Sequence, residues 1–225
     1  MKEFWNERYN QSTYVYGKQP NSFYKSQLDL LLPGSILFPA EGEGRNAVYA
    51  ATKGWQVDAF DISDAGKTKA TQLAKEHQVS LNYTVGTFGH LPYKKEQFDV
   101  IVLIFAHFDP ENRWEYHKLL SEYLKPNGLI ILEGFSKKHL EYSKKNPAVG
   151  GPKNPDMLFS KKMILSDFKD FNTQLIQEQE VELKEGEYHN GMGHVGLKTT
   201  NKKLLISINR LLIFNNTNKK SSTSL

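Results

Sequence analysis

The chain has 225 residues with 39% hydrophobic and 24% charged content and no cysteine. That length suits one α/β domain with a substantial core and leaves two full domains cramped. Without cysteine there are no disulfides, thiolate metal sites or cysteine nucleophiles. The net charge of +4 is spread along the chain and gives no clear footprint for nucleic acid.

The first residues, MKEFWNERYNQS, lack the apolar core of a secretory signal. No later stretch reaches the roughly eighteen apolar residues of a membrane span. A cytoplasmic protein with no membrane partner is the expectation. No internal repeat is present.

Residues 1 to 20 are rich in aromatics: Phe4, Trp5, Tyr9, Tyr14 and Tyr16. Phe23 to Leu32 reads as a short helix with Phe23, Leu28, Leu31 and Leu32 inward, ended by Pro33-Gly34. The stretch Ser35 to Asp61 organises the rest. Ile36-Leu37-Phe38 is a short apolar run that meets a turn containing Gly42 and Gly44. Arg45 to Thr52 follows as a helix stopped by Gly54, and Val57 to Phe60 is a second run that ends on Asp61. Strand, glycine turn, helix, strand and terminal acid make the first unit of a nucleotide-binding parallel sheet. Asp61 stands 17 residues after Gly44, where a carboxylate can accept hydrogen bonds from both ribose hydroxyls.

Gly42-Glu43-Gly44-Arg45-Asn46-Ala47 formally satisfies the dinucleotide fingerprint, so NAD has to be weighed. Glu41 and Glu43 flank the turn, with Arg45 the one local counter-charge. They would face a pyrophosphate but suit the sulfonium and ammonium of S-adenosylmethionine. The loop therefore favours that methyl donor.

After Asp61, Ser63 caps a helix to about His77, with Ala65, Ala70, Leu73 and Ala74 on its apolar side. Val79 to Val85 alternates as a third strand. Phe98 to Phe105 is nearly continuous in apolar residues, as a central parallel strand buried on both faces requires. Asp99 at its start has a structural task at the opposite, non-catalytic end. The strand delivers Ala106, His107 and Phe108 to the ligand edge. His107 can remove a proton from a nucleophile or orient one; the competing reading is a hydrogen-bonded histidine lining the cofactor pocket.

Pro110 to Leu124 reads as a helix with Trp114, Leu119, Leu120, Tyr123 and Leu124 inward. Lys125-Pro126-Asn127-Gly128 breaks it before a fifth strand, Leu129 to Leu132. Glu133, at that strand's functional end, reads equally as a substrate contact or an exposed side chain. Residues 136 to 155 hold five lysines and the run NPAVGGPKNP, read as an irregular substrate lid. Ser160 opens a helix to about Phe168, and Thr173 to Lys184 alternates as a strand. His189 and His194 could be read as a metal pair, but no cluster at ligand spacing accompanies them, so a loop is expected and no metal. Leu204 to Phe214 reads as the last strand or an extra edge element. Asn215 to Leu225 reads as a disordered tail.

The stretch PAEGEGRNAVYAA...GWQVDAFDIS resembles the cofactor loop of class I S-adenosylmethionine-dependent methyltransferases. Its EGEGRNA core is especially similar to the tellurite-resistance TehB and thiopurine methyltransferase-like branch. FDVIVLIFAHF, LKPNGLIILEGF and EGEYHNGMGHVG resemble later motifs of the same family. Two positions depart from it: Ala40 replaces the usual first glycine, and Phe38 replaces a frequent acid.

The resemblance implies a doubly wound, Rossmann-like α/β sheet of seven strands, mostly parallel with an antiparallel C-terminal strand. It implies one domain over 1–214, with 1–34 covering the cofactor and 136–158 as the lid. The expected cofactor site is Tyr16, Ala40, Glu41, Gly42, Gly44, Arg45, Asn46, Asp61, Ile62, Thr87, Phe88, Phe105 and Ala106, with His107 for chemistry. Thr87 stands where the family often has an acid for the adenine amino group. Tyr14 and Tyr16 are read as rings that shield the sulfonium or pin the terminus. The expected acceptor is a small nucleophile: a thiol, a metalloid oxyanion or an amine. An NAD-dependent oxidoreductase and a non-catalytic member of the fold are the competing readings.

Overall fold

The computed structural model describes residues 1–202, so the expectations for 204–214 and the 215–225 tail lie outside the described residues. Seven strands form one sheet: β1 (Ser35–Pro39), β2 (Gln56–Asp61), β3 (Asn82–Val85), β4 (Phe98–Ile104), β5 (Leu124–Phe135), β6 (Phe171–Lys184) and β7 (Asn190–Lys202). Their spatial order is β3-β2-β1-β4-β5-β7-β6, and β7 alone runs antiparallel to its neighbours β5 and β6. This is the expected doubly wound sheet with its reversed last strand.

The helices are α1 (Lys2–Tyr9), α2 (Ser22–Leu28), α3 (Arg45–Thr52), α4 (Asp64–Glu76), α5 (Pro110–Tyr123), α6 (His139–Lys145) and α7 (Lys161–Asp167). No described helix is long and apolar enough to cross a membrane.

Alternation in the strands builds the two cores. Ile36, Phe38, Val57, Ala59, Val100, Val102 and Ile131 pack on one face with Ala47, Ala50 and Ala70 of α3 and α4. Leu37, Ile101, Leu103, Ile130 and Leu132 pack on the other with Leu120, Ile164 and Phe168 from around α5 and α7. The continuous apolar run of β4 is thus buried on both sides, as its composition demands. At the far end of the sheet Asp99 accepts hydrogen bonds from the Ser35 backbone N–H (2.8 Å) and from Lys125 (2.9 Å), the structural task expected of it.

Several boundaries shift for local reasons. Helix α2 stops at Leu28, and Leu32 is 90% exposed rather than inward. Trp114 points outward too, half exposed on α5. Lys125 to Gly128 is an excursion inside β5, since Phe98 pairs with Leu124 and Val100 already pairs with Leu129. Segment 136–158 is not wholly irregular, because α6 and two single turns of 3-10 helix fall within it.

The chain reverses its sheet order between β1 and β4, so a crevice opens at the carboxyl ends of these strands. The bend that leaves β1 is made by Ala40 at φ +52°, a conformation in which an L-residue is strained and glycine is not. Ala40→Gly is therefore expected to raise stability by roughly 0.5–1 kcal/mol, after the extra chain entropy of glycine is subtracted. Urea unfolding of the two proteins measures it.

Candidate functional site

A crevice of about 1100 Å³ runs across the ends of β1, β2 and β4 under α1. Tyr16, Ala40, Glu41, Arg45, Asn46, Asp61, Ile62, Thr87, Phe88, Phe105, Ala106 and His107 all line it. Gly42 and Gly44 do not. Gly42 donates its N–H to Asp61 Oδ2 at 3.0 Å and lies against the Tyr9 hydroxyl. Gly44, at φ +89°, caps α3, and a Cβ there would sit 2.6 Å from Ala70 Cβ. The two glycines shape the loop and seat α3 on α4 rather than line the crevice.

Asp61 is held by the backbone on both oxygens, with Ser63 N–H at 2.9 Å on Oδ1 and Gly42 N–H on Oδ2. Burial raises its carboxyl to about 6 against the pull of those N–H groups. Each oxygen keeps a lone pair, so the group is fixed, buried and able to accept two hydroxyls.

The glutamates of the loop are not the free charges that the sequence suggested. Glu41 turns back and accepts the N–H groups of Asn46 (2.9 Å) and Ala47 (2.8 Å) in the first turn of α3. Burial raises it to about 7. Glu43 pairs with Lys69 at 2.8 Å and accepts the Tyr16 N–H. Attraction of a cation by unpaired glutamates is therefore corrected to a different exclusion. The N–H groups that would bind a pyrophosphate at α3 already hold a carboxylate.

Arg45 also leaves the loop. It donates to the Tyr16 carbonyl (3.2 Å) and to Glu185 (2.9 Å) in the turn between β6 and β7. Thr87 and Phe88 line the outer end, where Phe88 stacks on Tyr116 at 4.0 Å between ring centres.

His107 does not fit the base assigned to it. Nδ1 lies 2.8 Å from the Met157 carbonyl and Nε2 accepts the Phe135 N–H at 3.0 Å, so neither nitrogen is left for a substrate proton. Burial holds the ring at about 4 and hence neutral. It ties 136–158 to the end of β5, the hydrogen-bonded alternative.

His189 is the histidine that the site does offer. It is 5% exposed and lies 4.4 Å from Phe105 and 4.7 Å from Tyr16 between ring centres. Nδ1 meets Glu185 Oε2 at 3.2 Å, and Nε2 has no partner among the described residues. Burial would raise Glu185, but Arg45 and the bonds from His189 and Arg45 outweigh it and hold the carboxyl at about 2. Burial lowers the His189 ring against Glu185, so it is neutral at neutral pH. An oriented neutral imidazole beside a carboxylate has the parts of a general base. His194 is separate and bonds to Ser136 at 2.6 Å. Among the described residues no group could hold a metal ion. Glu133 is not exposed and does not line the crevice: it is 4% exposed, one oxygen has no partner among the described residues, and burial and Glu185 raise it to about 8.

Phe105, at the end of β4, has φ +52°, a strained conformation for a bulky side chain and one that turns its ring onto Phe135 and His189.

Residues 36–128 match the methyltransferase domain family. A ubiquinone biosynthesis O-methyltransferase of Rickettsia canadensis (strain McKiel) is 30% identical over 101 residues, 45% of this chain and 42% of that protein. The chain spans less than half the length of the curated relatives it matches. A structure reported for the conversion of a disulfide bond into a thioacetal group during echinomycin biosynthesis superposes with a TM-score of 0.74. It is 18% identical, and the match covers 96% of this chain and 98% of that one. A S-adenosylmethionine-dependent methyltransferase from Methanosarcina mazei superposes with a TM-score of 0.61 at 19% identity, over 78% of this chain and 96% of that one. Residues 36–128 are thus similar to the methyltransferase domain family and sit in a seven-stranded α/β fold shared with solved methyltransferase structures.

Proposed function

We propose that the protein transfers the methyl group of S-adenosylmethionine to a small acceptor by in-line displacement. The observation that carries this reading is Asp61, a buried carboxylate fixed by two backbone N–H groups at the mouth of β2. It suits a ribose, while the Glu41 cap on α3 disfavours a pyrophosphate. The adenine then lies towards Thr87 and Phe88, and the methyl group towards Phe105 and His189. The EGEGRNA loop and the aromatic N-terminal segment support a TehB-like arrangement in particular, and 136–158 supplies an acceptor-side lid through Gly151, Pro152, Lys153 and Met157.

The acceptor atom is a hydroxyl or amine. A thiolate needs no base, whereas these nucleophiles carry a proton that must leave as the carbon bond forms. His189 Nε2 takes it, with Glu185 holding Nδ1–H and stabilising the imidazolium. The sulfonium leaves as a neutral thioether, so alignment and exclusion of water supply much of the acceleration.

Calorimetry with S-adenosylhomocysteine and with NADH tests the donor. S-adenosylhomocysteine is expected to bind and NADH not to. Affinity for the former is flat above about pH 6 and falls up to tenfold per pH unit below it, because Asp61 must be ionised to accept both hydroxyls. Binding of NADH alone overturns the reading.

A further inference from the structure

Arg8 of α1 lines the crevice and is half-buried. Its guanidinium lies over three rings, Phe4 at 4.6 Å, Trp5 at 5.5 Å and Tyr188 at 4.2 Å from the centroids. Its one hydrogen bond goes to a neutral acceptor, the Tyr16 hydroxyl, at 3.2 Å. The other two described arginines each meet a carboxylate, Arg45 with Glu185 and Arg113 with Asp167. Arg8 alone among them has no such partner.

Rings packed on the faces of a guanidinium leave only its planar edge for hydrogen bonds. That edge presents five N–H donors in a fixed fork, of which the contact with Tyr16 uses one. The aromatic box also strips water from the cation, which strengthens any charge-assisted bond made there. A planar two-oxygen anion matches such a fork, and a point acceptor does not. The box is built from α1 and the turn carrying Tyr188, and Arg8, Phe4 and Trp5 all line the crevice.

We propose that Arg8 is a carboxylate-binding residue of the crevice. It receives its ligand edge-on through the fork while Phe4, Trp5 and Tyr188 hold the guanidinium plane. The carboxylate belongs either to the amino-acid end of the methyl donor or to an anionic acceptor. The inference rests on the donor reading above for the first source and stands without it for the second.

Calorimetry on wild type and Arg8→Gln separates the sources. S-adenosylhomocysteine carries the carboxylate, and 5′-methylthioadenosine keeps the nucleoside and thioether without it. If the donor is the source, Arg8→Gln weakens S-adenosylhomocysteine by roughly 10–100-fold and leaves methylthioadenosine within about twofold. If the acceptor is the source, S-adenosylhomocysteine binding is unchanged. 4-Fluorobenzoate, followed by 19F NMR on free and S-adenosylhomocysteine-treated protein, then loses its binding in the variant. Arg8→Lys, which keeps the charge but not the fork, is expected to behave like Arg8→Gln.

Equal loss of S-adenosylhomocysteine and methylthioadenosine means that Arg8 only packs α1, and overturns the proposal. So does a variant that matches wild type for all three probes. Failure of wild type to bind either adenosine compound instead overturns the donor reading, and the fluorobenzoate arm still decides Arg8.

Discussion

Asp61→Asn is expected to weaken S-adenosylhomocysteine binding by about 100-fold or more while leaving a folded protein. Two hydrogen bonds to a charged carboxylate contribute about 1.5–3 kcal/mol each, and 1.4 kcal/mol corresponds to a tenfold change in affinity. The amide keeps the size of the side chain but turns one oxygen into a donor. That donor faces either the Ser63 N–H or the Gly42 N–H, so the loop loses one of its two anchors as well. Calorimetry gives the affinity, and urea unfolding shows that the fold has survived. An affinity within threefold of wild type would remove the ribose from this position.

His189→Gln is expected to lower kcat by about 10²–10⁴-fold on a hydroxyl acceptor and to leave the Kd for S-adenosylhomocysteine unchanged. Glutamine can still bond to Glu185 but cannot carry the proton away. In wild type the rate should rise with pH through the His189 pKa, which burial sets below its ordinary value, and then level off. The variant should lose that rise. A raised KM with kcat intact would make His189 a binding residue only.

The strand, turn and helix that frame the crevice were largely legible in the sequence. Ile36 to Asp61 fixed a strand, a turn, a helix and a terminal acid, because each depends on local spacing alone. The run at Phe98 to Ile104 placed the central strand in the same way, since only burial on both faces tolerates it. The histidine side of the crevice was not legible. His107 stands beside the crevice in the sequence pattern, but its nitrogens are consumed by Met157 and Phe135, two partners brought in by tertiary folding. His189 reaches the same crevice only because the turn after β6 folds back onto Phe105 and Tyr16, which no periodicity announces.

The charges of the turn misled for a related reason. Glu41 and Glu43 look free in the sequence, whereas one caps a helix start and the other meets a lysine from α4. Strand β7, the last among the described residues, was hidden by its composition. Met192 to Thr200 reads as a glycine-rich, polar stretch, and the apolar run lies further on, at Leu204 to Phe214. In β7 the small residues permit close approach: a Cβ on Gly193 would lie 2.9 Å from Leu183 Cδ1. Lys198, Thr199 and Thr200 are buried between two neighbouring strands despite their polarity.

The placement of β7 also orders events during synthesis. Strand β6 leaves the ribosome before β7 but has no place in the sheet until β7 lies against β5. The turn that joins them is what Val15 receives, through its carbonyl and the Glu187 N–H at 3.0 Å. A nascent chain halted before residue 190 therefore lacks the strand that joins β6 to β5, and with it the placed turn that seats Val15 and carries His189. Translation must pass that point before the His189 side of the crevice is in place.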